Sequence, residues 1–151
     1  MKPAIILSSE TCSETETVDL GARFSGKLAP GDIVACYGDL GSGKTSFIRG
    51  VCQGLHIQEH VASPTFTIVN EYRTENFPVY HFDFYRLTTT RELLEIGFED
   101  YLSRQDGVCL IEWAEKVQRV LSPLPRYAVE LRVGKTRDVR MVVIRKYQTR
   151  S

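Results

Sequence analysis

The sequence lacks the features that would place it in a membrane or in an oxidising compartment. Its 151 residues contain no uncharged apolar run of about 18 residues, the length that a membrane-spanning helix needs, so we expect no membrane contact. The apolar stretch 4–7 is too short for the core of a signal peptide. The four cysteines form no C-x-x-C pair, which argues against a zinc site or a disulfide framework. We therefore expect a reduced, cytoplasmic protein.

The chain also lacks net charge, because 19 basic side chains balance 19 acidic ones. The balance is uneven, since eight basic and two acidic side chains lie between residues 126 and 151. A basic end can face nucleic acid or an acidic partner, but the aromatic–basic interleaving of single-strand binders is missing there. We favour a solvated face of two strands. Hydrophobic residues make up 42% and charged residues 25%, which predicts a single folded domain over residues 1–151.

Strand and helix patterns alternate along the first two thirds of the chain. Strands are predicted at 33–37, 66–72, 79–84 and 108–111, and two more, at 127–133 and 139–147, form a hairpin. Helices are predicted from Ser13 to about Leu28, over 45–55, from Thr89 and over 114–121. Capping-box spacing supports two of these starts, Ser13 with Glu16 and Thr89 with Glu92. The predicted class is α/β, with a mixed, largely parallel central sheet and a C-terminal β-hairpin.

Residues 38–45, Gly-Asp-Leu-Gly-Ser-Gly-Lys-Thr, match the phosphate-binding pattern G-x-x-x-x-G-K-[ST]. Glycines let the backbone curl so that successive N–H groups face phosphate oxygens, and the following helix N-terminus favours an anion. Lys44 is expected to contact the β- and γ-phosphates, and the Thr45 hydroxyl to ligate Mg²⁺. The loop follows an apolar strand and precedes a helical pattern, as the motif requires. The sequence therefore predicts a nucleoside triphosphate site in a three-layer P-loop NTPase-like fold.

A P-loop enzyme also needs a carboxylate at a neighbouring strand end to hold Mg²⁺. Asp83 and Glu112 both follow apolar strands, and the pattern leaves open which of them is the direct ligand. The Glu112 strand is the more apolar and is expected to be central. Ser63-Pro64-Thr65 lies where switch loops supply a γ-phosphate-sensing hydroxyl, although it can equally be a turn with a capping hydroxyl. His81 reads as a packed strand residue rather than as a general base.

Together these blocks resemble the TsaE family, formerly YjeE, the small bacterial P-loop ATPases of tRNA threonylcarbamoyladenosine synthesis. The resemblance covers about residues 8 to 121 and rests on the P-loop, on 63–66 (Ser-Pro-Thr-Phe), on 81–86 (His-Phe-Asp-Phe-Tyr-Arg) and on 111–113 (Ile-Glu-Trp). It implies a cytoplasmic protein that binds ATP with Mg²⁺ and hydrolyses it slowly unless its partners TsaB and TsaD join it. Those partners modify the adenosine beside the anticodon of tRNAs that read ANN codons, so tRNA is an indirect partner.

The resemblance also implies roles for individual positions. Glu112, Asp83 and Thr45 are the metal-ligand candidates, and Asp83, Glu112 and Thr65 are the catalytic candidates. A first-helix glutamate and a hairpin arginine contact nucleotide in the family, and Glu14 and Arg137 are the matching positions here. The predicted nucleotide-binding residues are Gly38, Asp39, Gly41, Ser42, Gly43, Lys44, Thr45, Ser46, Glu14 and Arg137.

Other classes fit less well. A guanine-specific GTPase needs an Asn-Lys-x-Asp motif, which the sequence lacks. A small-molecule kinase needs a lid and an acceptor pocket, for which the chain offers little length. A nucleotide-gated binding module without significant catalysis is the serious alternative, because no arginine stands in an obvious position to stabilise the transition state.

Overall fold

The computed structural model describes residues 2–62 and 68–149. The strands in these ranges are β1 (Pro3–Thr11), β2 (Ile33–Tyr37), β3 (Val69–Arg73), β4 (Pro78–Asp83), β5 (Val108–Glu112), β6 (Arg126–Val133) and β7 (Arg140–Tyr147). The α-helices are α1 (Glu14–Phe24), α2 (Lys44–Gly54), α3 (Thr90–Ile96), α4 (Phe98–Arg104) and α5 (Gln118–Leu121). Short 3-10 turns follow α1 at Ser25–Lys27 and precede α5 at Ala114–Val117.

The strands form one mixed sheet in the order β1-β7-β6-β2-β5-β4-β3. The four central strands, β6, β2, β5 and β4, pair in parallel, while β3 on one side and β7 with β1 on the other pair antiparallel. Because the carboxyl ends of parallel strands meet at one edge, the segments after β2, β4 and β5 come together there. The predicted α/β class, the mixed sheet and the C-terminal β6–β7 hairpin are confirmed.

Helices cover both faces of the sheet and produce three layers. One apolar cluster packs α1 and α2 against side chains such as Val34, Leu110 and Val129. The other packs the region of α4 and α5 against alternate residues of the same strands, such as Ala35, Phe82 and Ile111. This alternation follows from the two-residue period of a strand.

Helices α1 and α2 touch at two glycines. A Cβ atom on Gly21 would lie 2.2 Å from the carbonyl oxygen of Phe47, and one on Gly50 would lie 1.9 Å from that of Val18. Both distances are far below van der Waals contact, so a side chain at either position would force the helices apart. The close crossing holds the start of α1 beside the start of α2, where the phosphate-binding loop ends.

The structure corrects several element predictions. Strand β1 was not predicted at all. Helix α1 ends at Phe24, and a 3-10 turn takes the chain on to Lys27. Its predicted cap is confirmed, because the Glu16 backbone N–H donates to Ser13 Oγ at 3.1 Å. The second capping box is not formed: Thr89 precedes α3 without a side-chain cap bond, and the Glu92 carboxylate instead accepts hydrogen bonds from Thr88.

Residues 63–67, which include Ser63, Pro64 and Thr65 and the start of the predicted strand 66–72, lie outside the described residues. Within the described ranges, no helix is long and apolar enough to cross a membrane.

Candidate nucleotide-binding site

The loop between β2 and α2 has the backbone that its glycines predict. Gly38, Gly41 and Gly43 all have positive φ angles, and Gly43, at φ +102°, is the residue from which α2 starts. Gly38 also approaches other atoms closely, since a Cβ there would lie 2.5 Å from both the carbonyl oxygen of Leu131 and Ser42 Oγ. A side chain at Gly38 would therefore displace the loop from β6. The curled loop ends at the N-terminus of an 11-residue helix, which is the geometry of an anion cradle.

Lys44 points back into this loop. Its side chain is buried, with 5% of its surface exposed, and Nζ donates to the carbonyl oxygens of Gly38 at 2.5 Å and Asp39 at 2.9 Å. Burial lowers the pKa of Lys44, while the negative charges of Glu115 and Glu112 act in the opposite direction. The loop thus holds a cation at its centre, where phosphate oxygens would need one.

Trp113 covers Lys44 from the other side. The Lys44 ammonium nitrogen lies 3.9 Å from the centre of the Trp113 ring, which is a cation–π contact. Trp113 has a left-handed backbone at φ +59°, unusual for a bulky residue, and its ring contacts that of Tyr85. The tryptophan is therefore placed where any movement of Lys44 would change its surroundings.

Thr45 and the two candidate acids converge at the carboxyl edge of the sheet. Thr45 Oγ1 donates to Glu112 Oε1 at 2.6 Å, which joins the start of α2 to the end of β5. Asp83 and Glu112 are register partners on the adjacent parallel strands β4 and β5. The prediction that the Glu112 strand is central is confirmed, because β5 lies between β2 and β4. The structure brings all three predicted metal-ligand candidates to one place.

His81 is a packed strand residue, as predicted, but its contact with Glu112 was not predicted. This side chain is fully buried, and its Nε2 lies 2.7 Å from Glu112 Oε2. Val79, His81 and Asp83 share one face of β4, and Leu110 and Glu112 share the same face of β5. The two-residue period of these strands could have placed His81 beside Glu112 once their register was known.

Lys44, Thr45, Asp83, Glu112 and Trp113 line a cavity of about 440 Å³ around the loop. Glu14 reaches it from α1, and its Oε1 accepts hydrogen bonds from Arg49 at 3.1 Å and from Ser46 at 3.4 Å. Arg137 does not line the cavity; its carbonyl oxygen instead accepts a hydrogen bond from Arg140, which does. Among the described residues, the lining comprises Ser13, Glu14, Thr17, Leu40, Gly41, Ser42, Gly43, Lys44, Thr45, Ser46, Asp83, Tyr85, Glu112, Trp113, Asp138 and Arg140.

The donor set at this edge fits Mg²⁺ with a phosphate-bearing ligand. The hydroxyl of Thr45 and the carboxylates of Glu112 and Asp83 are hard oxygen donors. Within the ranges that the structure describes, no group of three or more His, Cys, Asp or Glu side chains could hold a metal ion. Mg²⁺ is usually held by one or two carboxylates together with substrate phosphates and water, so a phosphate beside these residues would complete its coordination.

Comparison with known proteins identifies the family of the chain. The profile of the family described as "Threonylcarbamoyl adenosine biosynthesis protein TsaE" matches residues 11–142. A protein of Rickettsia typhi named tRNA threonylcarbamoyladenosine biosynthesis protein TsaE is 39% identical over 122 residues, which cover 80% of this chain and 83% of that protein. The Bacillus subtilis protein of the same name is 40% identical over 115 residues, covering 76% and 71%.

A solved structure is also similar. The crystal structure of Bacillus subtilis YdiB superposes with a TM-score of 0.81 at 30% identity, covering 98% of this chain and 89% of that one. The profile match spans most of the chain, and it includes the loop, Asp83 and Glu112. The chain belongs to the TsaE family.

Proposed function

We propose that the chain binds ATP with Mg²⁺ in the 440 Å³ cavity and hydrolyses it in support of tRNA threonylcarbamoyladenosine synthesis. The observation that carries the proposal is the 2.6 Å hydrogen bond between Thr45 and Glu112, which joins a phosphate-binding loop to a strand-end carboxylate. The names of the related proteins support the pathway. In this proposal the protein acts in the cytoplasm on the TsaB–TsaD pair, which in turn acts on tRNA.

Phosphate binding and metal binding are assigned to different residues in this proposal. The loop N–H groups and the Lys44 ammonium hold the phosphates, while Glu14, Ser46 and Arg140 face the remainder of the nucleotide. Thr45 and Glu112 would hold Mg²⁺, which when bound neutralises charge on the phosphate oxygens.

Asp83 has a separate role in this proposal. It lies one strand from Glu112, and we assign to it the orientation of the attacking water. The proposal thus separates a group that holds the metal from a group that acts on the nucleophile.

A nucleotide-gated binding module without significant catalysis is the second candidate. One observation favours it: the two basic side chains in the cavity lining are both held by backbone carbonyl oxygens, Lys44 by Gly38 and Asp39, and Arg140 by Val139 and Arg137. A cation already held in this way does not stabilise charge on a transferred phosphoryl group unless it moves. We therefore expect the isolated chain to turn over ATP slowly.

The test compares ATP turnover by the chain alone and with its cognate TsaB–TsaD pair. Supplying a missing transition-state contact is worth about 10³–10⁵ in rate in other P-loop enzymes, so even a partial effect is measurable. Repeated cycles of tRNA modification should require the wild-type chain and fail with Asp83→Ala, which keeps the loop intact. Equal turnover with and without the pair, together with modification that continues without this chain, would leave only a generic ATP-binding protein.

A further inference from the structure

Both oxygens of the Glu112 carboxylate are held, each by a different element. Oε1 accepts from the Thr45 hydroxyl of α2, and Oε2 lies 2.7 Å from Nε2 of His81 on β4. Glu112 is 2% exposed and His81 is 0% exposed. A buried carboxylate with both oxygens fixed presents its lone pairs in one orientation, and the P-loop motif does not account for the contact with His81.

The contact continues across a third strand. Tyr72 of β3 is 5% exposed, and its hydroxyl lies 3.2 Å from Nδ1 of His81. Asn70 is the register partner of His81, and Leu110 is its partner on the other side, so Tyr72 and Glu112 are both diagonal neighbours of His81. A line of hydrogen bonds therefore crosses β3, β4 and β5 to the strand-end carboxylate.

The protons along this line can be placed from the chemistry of the groups. An ionised carboxylate only accepts hydrogen bonds, so Nε2 of His81 must carry a proton at 2.7 Å from Glu112. With that proton on Nε2 alone, Nδ1 accepts, and the Tyr72 hydroxyl donates to it at 3.2 Å in preference to the Ala62 carbonyl oxygen, its other acceptor, at 3.4 Å. Each group thus fixes the next, in the way that outer hydrogen bonds orient the ligands of a metal site.

We propose that His81 is a positioning residue that holds the Glu112 carboxylate in its metal-binding orientation, with Tyr72 fixing the ring of His81. The inference rests on the proposed function, in which Thr45 and Glu112 hold Mg²⁺. It assigns no proton transfer to His81. Without the imidazole donor, Oε2 of Glu112 would be buried without that hydrogen bond, and the carboxylate would be held less firmly in this orientation.

The test measures how much Mg²⁺ half-saturates the binding of a non-hydrolysable ATP analogue, followed by Trp113 fluorescence and by calorimetry. His81→Phe should raise the half-saturating Mg²⁺ concentration by about 10–100-fold, the usual effect of losing an outer hydrogen bond in a metal site. Binding of the analogue in EDTA should change little. His81→Gln should restore most of the Mg²⁺ response, because its amide can donate from near the position of Nε2.

Two tyrosine variants serve as a matched pair. Tyr72→Phe should raise the half-saturating Mg²⁺ concentration less than His81→Phe does, because the donor to Glu112 remains but its ring is less fixed. Tyr80→Phe should have no such effect, since Tyr80 lies on the opposite face of β4 and its hydroxyl donates to Asp106. If both tyrosine variants change the half-saturating Mg²⁺ concentration equally, the proposal that Tyr72 fixes the ring of His81 is wrong.

A second readout needs neither metal nor nucleotide. A long-range ¹⁵N nuclear magnetic resonance spectrum of the metal-free protein should show His81 protonated at Nε2, and a proton at Nδ1 alone would overturn the inference even if His81→Phe does not fold. An unchanged Mg²⁺ response in both His81 variants, with ATP binding still lost in Lys44→Ala, would reject the role of His81 and leave the proposed function standing. A wild-type chain that binds no ATP would instead reject the proposed function, and this inference with it.

Discussion

Two cavities lie against the phosphate-binding loop on different sides, and the charged side chains that line them differ in how they are paired. The 440 Å³ cavity contains Lys44 and the strand-end acids, while a larger cavity of about 690 Å³ lies against β6 and β7. Ser42 lines both. In the larger cavity Arg145 donates to Glu130 at 3.0 Å, and Arg132 also forms an ion pair with Glu130.

Cavity volume is a poor guide to the chemistry of this protein. In the larger cavity the carboxylate of Glu130 on β6 is already paired with two guanidinium groups, those of Arg132 on the same strand and Arg145 on β7. The smaller cavity lies at the carboxyl edge of parallel strands, where backbone direction brings like charges and a helix N-terminus together. The smaller cavity therefore gains stability from a ligand that brings a cation to the carboxylates and an anion to the helix N-terminus. The ion pairs of the larger cavity are already formed.

The largest effect should come from Asp83. Asp83→Ala should lower ATP turnover in the presence of the TsaB–TsaD pair by about 10²–10⁴-fold, the usual contribution of a group that acts on the nucleophile. Affinity for ATP should stay close to that of the wild type, because the interaction is made mainly in the transition state. Turnover is measured by phosphate release and affinity by calorimetry. A parallel loss of affinity would mean that Asp83 holds the metal or the nucleotide instead.

Lys44→Ala should produce the next largest effect, and it acts on binding. Removing the ammonium from the loop should weaken ATP affinity by at least about 2 kcal/mol, as expected for a lost charge-assisted hydrogen bond. The fluorescence of Trp113 should respond to ATP in the wild type, because the ammonium lies over its ring. If Lys44→Ala leaves the calorimetric ATP affinity unchanged, the nucleotide binds outside the smaller cavity.

Much of the candidate site could be predicted because its signals are local. The loop pattern contains its own glycines, and an apolar run followed by an acid locates a strand end whatever the rest of the chain does. Asp83 and Glu112 were therefore found before their register was known, and the structure then shows them as partners on adjacent strands.

The remaining features depend on contacts between distant parts of the chain. Strand β1 lies at the edge of the described sheet and pairs with β7, from the opposite end of the chain. Most of its side chains are exposed, so its residues carry no alternating pattern. Arg140 rather than Arg137 lines the cavity because of the way the β6–β7 turn folds back. The role of His81 depends on the register of β4 against β5, which no local pattern specifies.

The smallest effect should come from the ion pairs of the larger cavity. Partial burial alone would raise the pKa of Glu130, but hydrogen bonds from Arg132 and Arg145 outweigh it and hold that pKa below its ordinary value of 4.5. Arg145→Ala removes one of these donors from a half-exposed ion pair, so it should lower the free energy of unfolding by about 0.2–1 kcal/mol at pH 7.

The sign of the pH dependence follows from the lowered pKa. Stabilisation by the pair is complete above pH 4.5 and is lost as the pH falls through the lower pKa of the folded state, where the carboxylate becomes protonated. The difference in unfolding free energy between wild type and Arg145→Ala should therefore shrink as the pH is lowered from 7 towards 3. Urea unfolding measures that difference, and Lys135→Ala, an exposed residue of the hairpin turn, removes the same charge as a control. ATP affinity should be the same in both variants as in the wild type; a loss in Arg145→Ala comparable to that in Lys44→Ala would make the two cavities parts of one nucleotide site.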